Sequence, residues 1–106
     1  MNEPIRTVIN QIKDEFHQNF PNFQGIYLYG SRARGDEHED SDYDIVVVFD
    51  GKVDWRLKKT IRKMILNYEL VHNIIIDSSI YNSEDLIQPA TPFREEVLKD
   101  GIYYAV

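Results

Sequence analysis

Apolar positions change their spacing several times along this chain, and each change marks an element. Ile5, Val8, Ile9, Ile12 and Phe16 recur every three or four residues and predict one stripe of a helix. Asn2 can cap that helix, and Pro4 is tolerated in its first turn. Phe20-Pro21-Asn22 ends it, because the residue before a proline is pushed out of the helical region. Residues 25–29, Gly-Ile-Tyr-Leu-Tyr, predict a short strand, and residues 42–49 a second one that finishes in an unbroken apolar run. Asp50-Gly51 is a turn signal. Leu57, Ile61, Met64, Ile65 and Tyr68 then form the buried stripe of a second helix, whose other faces carry Arg56, Lys58, Lys59, Arg62 and Lys63. Residues 74–81, Ile-Ile-Ile-Asp-Ser-Ser-Ile-Tyr, predict a third strand with a single carboxylate, Asp77. Ser83 caps a short helical turn, and residues 89–92 break the chain. Thr91-Pro92 opens a last helix with Glu95 and Glu96 early, Lys99 late and Gly101 at its end, all in the sense the helix dipole favours. Residues 102–106 add an edge strand.

The order helix, strand, strand, helix, strand, helix predicts an α+β fold, a small mixed β-sheet flanked by helices. Its 106 residues, 1–106, read as a single domain with one modest core. Seven tyrosines and five phenylalanines argue against disorder. No apolar run approaches the roughly 20 residues of a membrane span, the first residues lack the regions of a signal peptide, and cysteine is absent. The expectation is a cytoplasmic protein without a membrane partner, a disulfide framework or a thiolate metal site. A net charge of −6 speaks against extended nucleic-acid binding. The charge is unevenly placed, with seven of the eighteen acids in residues 36–50 and six of the twelve bases in residues 52–63.

The chemistry concentrates in residues 30–49. Gly30-Ser31 is followed by ten residues and then Asp42-Tyr43-Asp44, which leads directly into the apolar strand. Side chains two apart on a strand share a face, so Asp42 and Asp44 are expected side by side. Like charges so placed are best tolerated around a cation or with a proton shared between them, and for the cation magnesium fits. Asp77, a lone acid in an apolar run, is costly unless its charge is compensated. If the third strand pairs beside the second, Asp77 joins the other two, and three carboxylates can hold one or two magnesium ions of the kind that serve phosphoryl or nucleotidyl transfer. Glycine at 30 lets the backbone approach a triphosphate, Ser31 and nearby N–H groups can donate to its oxygens, and Arg32 and Arg34 can neutralise it.

Each piece alone has a plainer explanation. An acidic stretch such as 36–44 is usually a solvated loop, a Gly-Ser pair means almost nothing, and Asp77 can be a core carboxylate paired with an arginine. The combination in this order is far more specific. Two rival motifs fail on spacing: Asp36-Glu37 stands where a P-loop needs Lys and Ser or Thr, and Ile45 and Gly51 stand where a calcium loop needs Gly and Glu. His17, His38 and His72 show no ligand spacing, with His17 expected on a solvated helix face. The basic residues of the second helix read as a solvated face rather than a phosphate site, and Trp55 and the tyrosines as core or interface.

Gly30-Ser31, ten residues, then Asp42-x-Asp44 before an apolar strand resembles the signature of the nucleotidyltransferase superfamily that includes polymerase beta. The fuller strings Gly-Ser-Arg-Ala-Arg-Gly-Asp and Ser-Asp-Tyr-Asp-Ile-Val-Val-Val are similar to the minimal nucleotidyltransferase, or MNT, domains. The likeness implies a nucleotidyltransferase fold, with Asp42 and Asp44 as metal ligands and Asp77 as the third carboxylate that completes the site and activates the attacking hydroxyl. It assigns Gly30 and Ser31 to the nucleotide phosphates, with Arg32 and Arg34 as their basic company. Tyr43 departs mildly from the pattern, since an aliphatic residue is more familiar inside Asp-x-Asp. The implied reaction uses Mg2+ and ATP to place AMP on a tyrosine of a HEPN-domain ribonuclease, the toxin of a toxin–antitoxin pair. A chain this short has no residues to spare for an acceptor domain, so a hetero-complex or oligomer is expected. The alternatives are an antitoxin that neutralises by binding alone, and transfer to a small molecule or an RNA end.

Overall fold

The structure, a computed structural model, describes residues 3–30, 42–87 and 91–106. The expectations placed on Ser31, Arg32, Arg34 and His38 lie outside the described residues. Four helices and four strands follow in the order α1 (Glu3–Asn19), β1 (Phe23–Tyr29), β2 (Tyr43–Phe49), α2 (Trp55–His72), β3 (Ile76–Asn82), α3 (Ser83–Ile87), α4 (Pro92–Asp100) and β4 (Ile102–Ala105) among the described residues. The strands form one mixed sheet in the order β3-β2-β1-β4. β1 runs antiparallel to both β2 and β4, whereas β2 and β3 are parallel, joined through α2. This is the α+β fold the periodicity predicts.

β2 is the strand the others are built on. Ile45, Val47 and Phe49 face one side, where they pack with Ile26 and Leu28 against Ile9, Ile12 and Phe16 of α1 and Ile61 and Ile65 of α2. Val46 and Val48 face the other side and pack with Leu86, Val97, Tyr27, Tyr81 and Phe93. Burial on both faces is why this stretch reads as a continuous apolar run instead of an alternation. Each such side chain removed from water contributes roughly 1.5–3 kcal/mol.

The largest departures from the predicted strand boundaries are the starts of β1 and β3. β1 starts at Phe23, because that ring is buried edge-on against Phe16 and Phe49, and the pairing is irregular between Phe23 and Gly25. β3 starts at Ile76, because the chain leaves α2 through Asn73 in the left-handed conformation (φ 54°) and Ile74 N–H still donates to the helix carbonyl of Glu69.

Local chemistry sets the helix ends. Asp54 caps α2 by accepting from Leu57 N–H at 2.9 Å. Thr91 caps α4 by accepting from Arg94 N–H at 3.1 Å, with Pro92 in the first turn. The Tyr68 hydroxyl donates to Glu15 Oε1 at 2.7 Å and ties α2 to α1. His17 is exposed, as expected. Trp55 is not a core residue: it opens α2 with 66% of its surface exposed, and the Arg56 guanidinium lies 5.3 Å from its ring centroid.

Candidate active site

Among the described residues, α3 and α4 cover only part of the sheet face opposite α1 and α2, and the acids stand at the end that these two helices leave uncovered. Tyr29 ends β1, and its register partner on β2 is Asp44. Asp44 in turn pairs with Asp77 on the parallel strand β3. Register partners share a face, so Tyr29, Asp44 and Asp77 form a row across three adjacent strands. Ser79 and Tyr81 continue along the same face of β3, two and four residues on.

The sequence brings Asp77 to the other acids on condition that the third strand pairs beside the second, and that pairing is present, with Asp77 opposite Asp44. It also expected Asp77 to be a costly acid in an apolar run. Asp77 is exposed instead, because β3 is an edge strand and this residue lies at its beginning. No burial cost needs compensating. Asp42 is exposed one residue before β2, on the Asp44 face by the two-residue period. Between them Tyr43 turns the other way, packs against the helix-side core and donates its N–H to the Ile75 carbonyl at 2.9 Å. An aromatic residue in the middle of Asp-x-Asp is therefore accommodated on the opposite side of the sheet from the acids.

Gly30 follows Tyr29 directly, with φ 76°, a conformation that strains any residue bearing a Cβ. Its second constraint is space: an added Cβ would overlap Asp44 Oδ2. The glycine lets the turn fold back against the carboxylate.

Tyr29 was not singled out from the sequence, yet it lies among these groups. Burial, followed by the negative charges of Asp44 and then Asp77, pushes its phenol up to about 12, against a hydrogen bond with Ser79 that works the other way. The hydroxyl stays protonated and lies within electrostatic reach of both acids. Only the β1–β2 register brings it there, so composition and spacing could not reveal it.

Among the described residues, no group of three or more His, Cys, Asp or Glu is gathered as a metal-holding cluster. Asp44 and Asp77, on parallel strands about 4.8 Å apart, offer two hard oxygen donors. Magnesium commonly takes one or two carboxylates and fills its remaining positions with waters and substrate phosphates, and this donor set suits that pattern. Asp77 also lines a cavity of about 380 Å³ with Ile76, Ser78, Arg62 and Glu69. Ile76 N–H donates to Glu69 Oε2 there at 2.9 Å.

The fold and the acid-bearing strands are those of a nucleotidyltransferase, and the relatives of the chain agree. Residues 10–103 match the family described as Polymerase beta, Nucleotidyltransferase, and the chain belongs to that family. It is 33% identical over 105 residues to the Methanocaldococcus jannaschii protein MJ0604, named as an inferred protein adenylyltransferase, with 95% of this chain and 96% of that one covered. The structure of a minimal nucleotidyltransferase superposes with a TM-score of 0.66 at 23% identity, covering 94% of this chain and 92% of the other. A chain of the complex between a tri-AMPylated HEPN toxin of Shewanella oneidensis and an MNT antitoxin superposes with a TM-score of 0.58 at 19% identity, covering 92% of this chain and 69% of that one. At these identities the two structures bear on the fold.

Proposed function

We propose that this enzyme is a magnesium-dependent protein adenylyltransferase, a single minimal domain that transfers AMP from ATP to a tyrosine hydroxyl of a HEPN ribonuclease and so acts as its antitoxin. The observation that carries the proposal is the register pairing of Asp44 with Asp77, with Gly30 folded against Asp44. The name of the M. jannaschii relative and the partners in the S. oneidensis complex support the choice of acceptor. A cytoplasmic setting, where ATP is available, goes with it.

The acceptor oxygen forms a bond to the α-phosphorus of ATP, the bond from that phosphorus to the bridging oxygen breaks, and pyrophosphate leaves with the electron pair. Asp42, Asp44 and Asp77 would hold the magnesium, and the ion would neutralise phosphate charge and lower the pKa of the acceptor hydroxyl. Asp77, exposed at the mouth, accepts the hydroxyl proton. Gly30 and Ser31 seat the triphosphate through backbone N–H groups and the Ser31 hydroxyl, and Arg32 and Arg34 offset its charge. Tyr29 keeps its proton and so adds no third negative charge to the acid pair.

The test is to incubate the chain with magnesium, ATP labelled at the α-phosphate and its HEPN partner. Label is expected on a partner tyrosine. An intact complex that acquires no label would overturn the assignment.

A further inference from the structure

The outer surface of α2 changes character along its length. Lys58, Arg62, Leu66 and Leu70 follow at four-residue intervals and so form one ridge that winds at an angle to the helix axis. The first two are cations in a chain whose net charge is −6. The last two are aliphatic and exposed, Leu66 by 50% and Leu70 by 72%, and Ile75, just before β3, is exposed by 62%. Isolated exposed aliphatics are ordinary, but a run of them beside a catalytic acid is not.

Two cavities of about 380 Å³ each adjoin this strip, and Arg62 lines both. One includes Lys58, Arg94 and Asn82 at the far end of β3. The other includes Leu66, Glu69 and Asp77 at its beginning. A shallow track thus follows the β3 edge, lined at one end by Lys58, Arg62 and Arg94 beside a single acid, Asp85, and at the other by Leu66 together with Glu69 and Asp77.

The occupant can be narrowed on chemical grounds. A nucleic acid suits the cations but gains nothing from Leu66, Leu70 and Ile75. A strand added to the β3 edge meets Glu69, whose carboxylate already takes the Ile76 N–H at the end nearest Asp77. What fits both ends is a folded protein surface with acidic side chains beside apolar ones. From Lys58 to Leu70 the helix rises roughly 18 Å, enough for the centre of an interface of ordinary size, about 800 Å² per partner.

We propose that this strip is the docking track for the protein acceptor: acidic side chains of the acceptor meet Lys58 and Arg62, its apolar side chains cover Leu66, Leu70 and Ile75, and the acceptor reaches round the β3 edge to bring its hydroxyl to Asp77 on the other face of the sheet. The proposal rests on the reading of Asp77 as part of the transfer site. It adds where the acceptor is held and what its surface must carry.

The experiment compares wild type with Lys58→Glu/Arg62→Glu and with Leu66→Ser/Leu70→Asp. All four positions are at or near the surface, and thermal unfolding verifies that each variant folds. Calorimetry measures affinity for the HEPN partner, labelled-ATP kinetics measure transfer, and ATP binding is measured on the chain alone. Both variants are expected to lose at least tenfold in partner affinity and to raise KM for the acceptor to match. The ATP affinity of the chain alone stays within twofold. Partner affinities within twofold of wild type in both variants would overturn the docking track. Loss of a wild-type homodimer in the variants, with partner affinity unchanged, would overturn it in favour of self-association. If wild type binds the partner, transfers nothing, and the variants still lose binding, the transfer chemistry fails while the track stands.

Discussion

Gly30 and Asp44 compete for one volume: a methyl group on the glycine would overlap the carboxylate oxygen Oδ2. Gly30→Ala therefore faces two penalties, a left-handed backbone costing about 1–2 kcal/mol and displacement of Asp44. We expect a melting temperature lower by several degrees and at least a tenfold loss of AMP transfer, read by calorimetry and label incorporation. An alanine variant with wild-type transfer would show that Asp44 tolerates being moved.

The acid pair itself is expected to matter for chemistry and little for folding. Asp44 is half-buried and Asp77 exposed, so Asn at either position keeps the shape while removing a charge. Asp44→Asn and Asp77→Asn should each lower kcat by roughly 100-fold or more, with unfolding transitions close to wild type. Chelating magnesium from wild type with EDTA should have the same effect, reversed when magnesium is restored. Full activity in chelator would remove the ion from the mechanism.

Stability should fall in alkali. The phenols of Tyr29, Tyr68 and Tyr103 are all raised, burial being the first cause in each case and the Glu15 hydrogen bond adding to it at Tyr68. The native chain thus holds protons that the unfolded chain releases near pH 10. Stability is fully present below about pH 10 and declines as the pH rises toward 12. Urea unfolding at a series of pH values measures this, and Tyr29→Phe should flatten part of the decline. A wild-type curve level through pH 11 would contradict it.

Core and surface aromatics should separate sharply. Phe49 is fully buried and meets Phe20 and Phe23 edge-on, so Phe49→Ala should cost about 3–5 kcal/mol. Trp55→Ala at the exposed start of α2 should cost roughly 0.5 kcal/mol or less. Denaturant midpoints at constant slope decide both.

Much of this arrangement was legible in the residues. The step from three-and-four spacing to the continuous run at 45–49 marked the central strand, and Thr91-Pro92 marked the start of the last long helix. Asp77 stood out as a charge in an apolar stretch, and its neighbour on the sheet proved to be Asp44. What could not be read is what depends on pairing. Nothing in the local spacing fixes β3 as the edge strand, and that position is why Asp77 is exposed. Tyr29 joins the acids only through the β1–β2 register. Of the two readings of Trp55, core and interface, the structure excludes the first, because its position in the first turn of α2 turns the ring outward beside Arg56. The strip from Lys58 to Leu70 reads as an ordinary solvated face until the β3 edge is laid beside it.

The parallel pairing of β2 with β3 also bears on when the enzyme becomes competent. A parallel partner is reached only after the connecting helix has been made and docked, so Asp44 emerges from the ribosome long before the strand that completes its row. A growing chain that has exposed the whole Gly-Ser to Asp-x-Asp motif has no acid pair until residue 82 is free to fold onto β2. Under the proposed antitoxin function, protection would then begin not with synthesis of the motif but with closure of that crossover, and slowing translation between residues 50 and 82 should lengthen the interval in which the toxin acts unopposed.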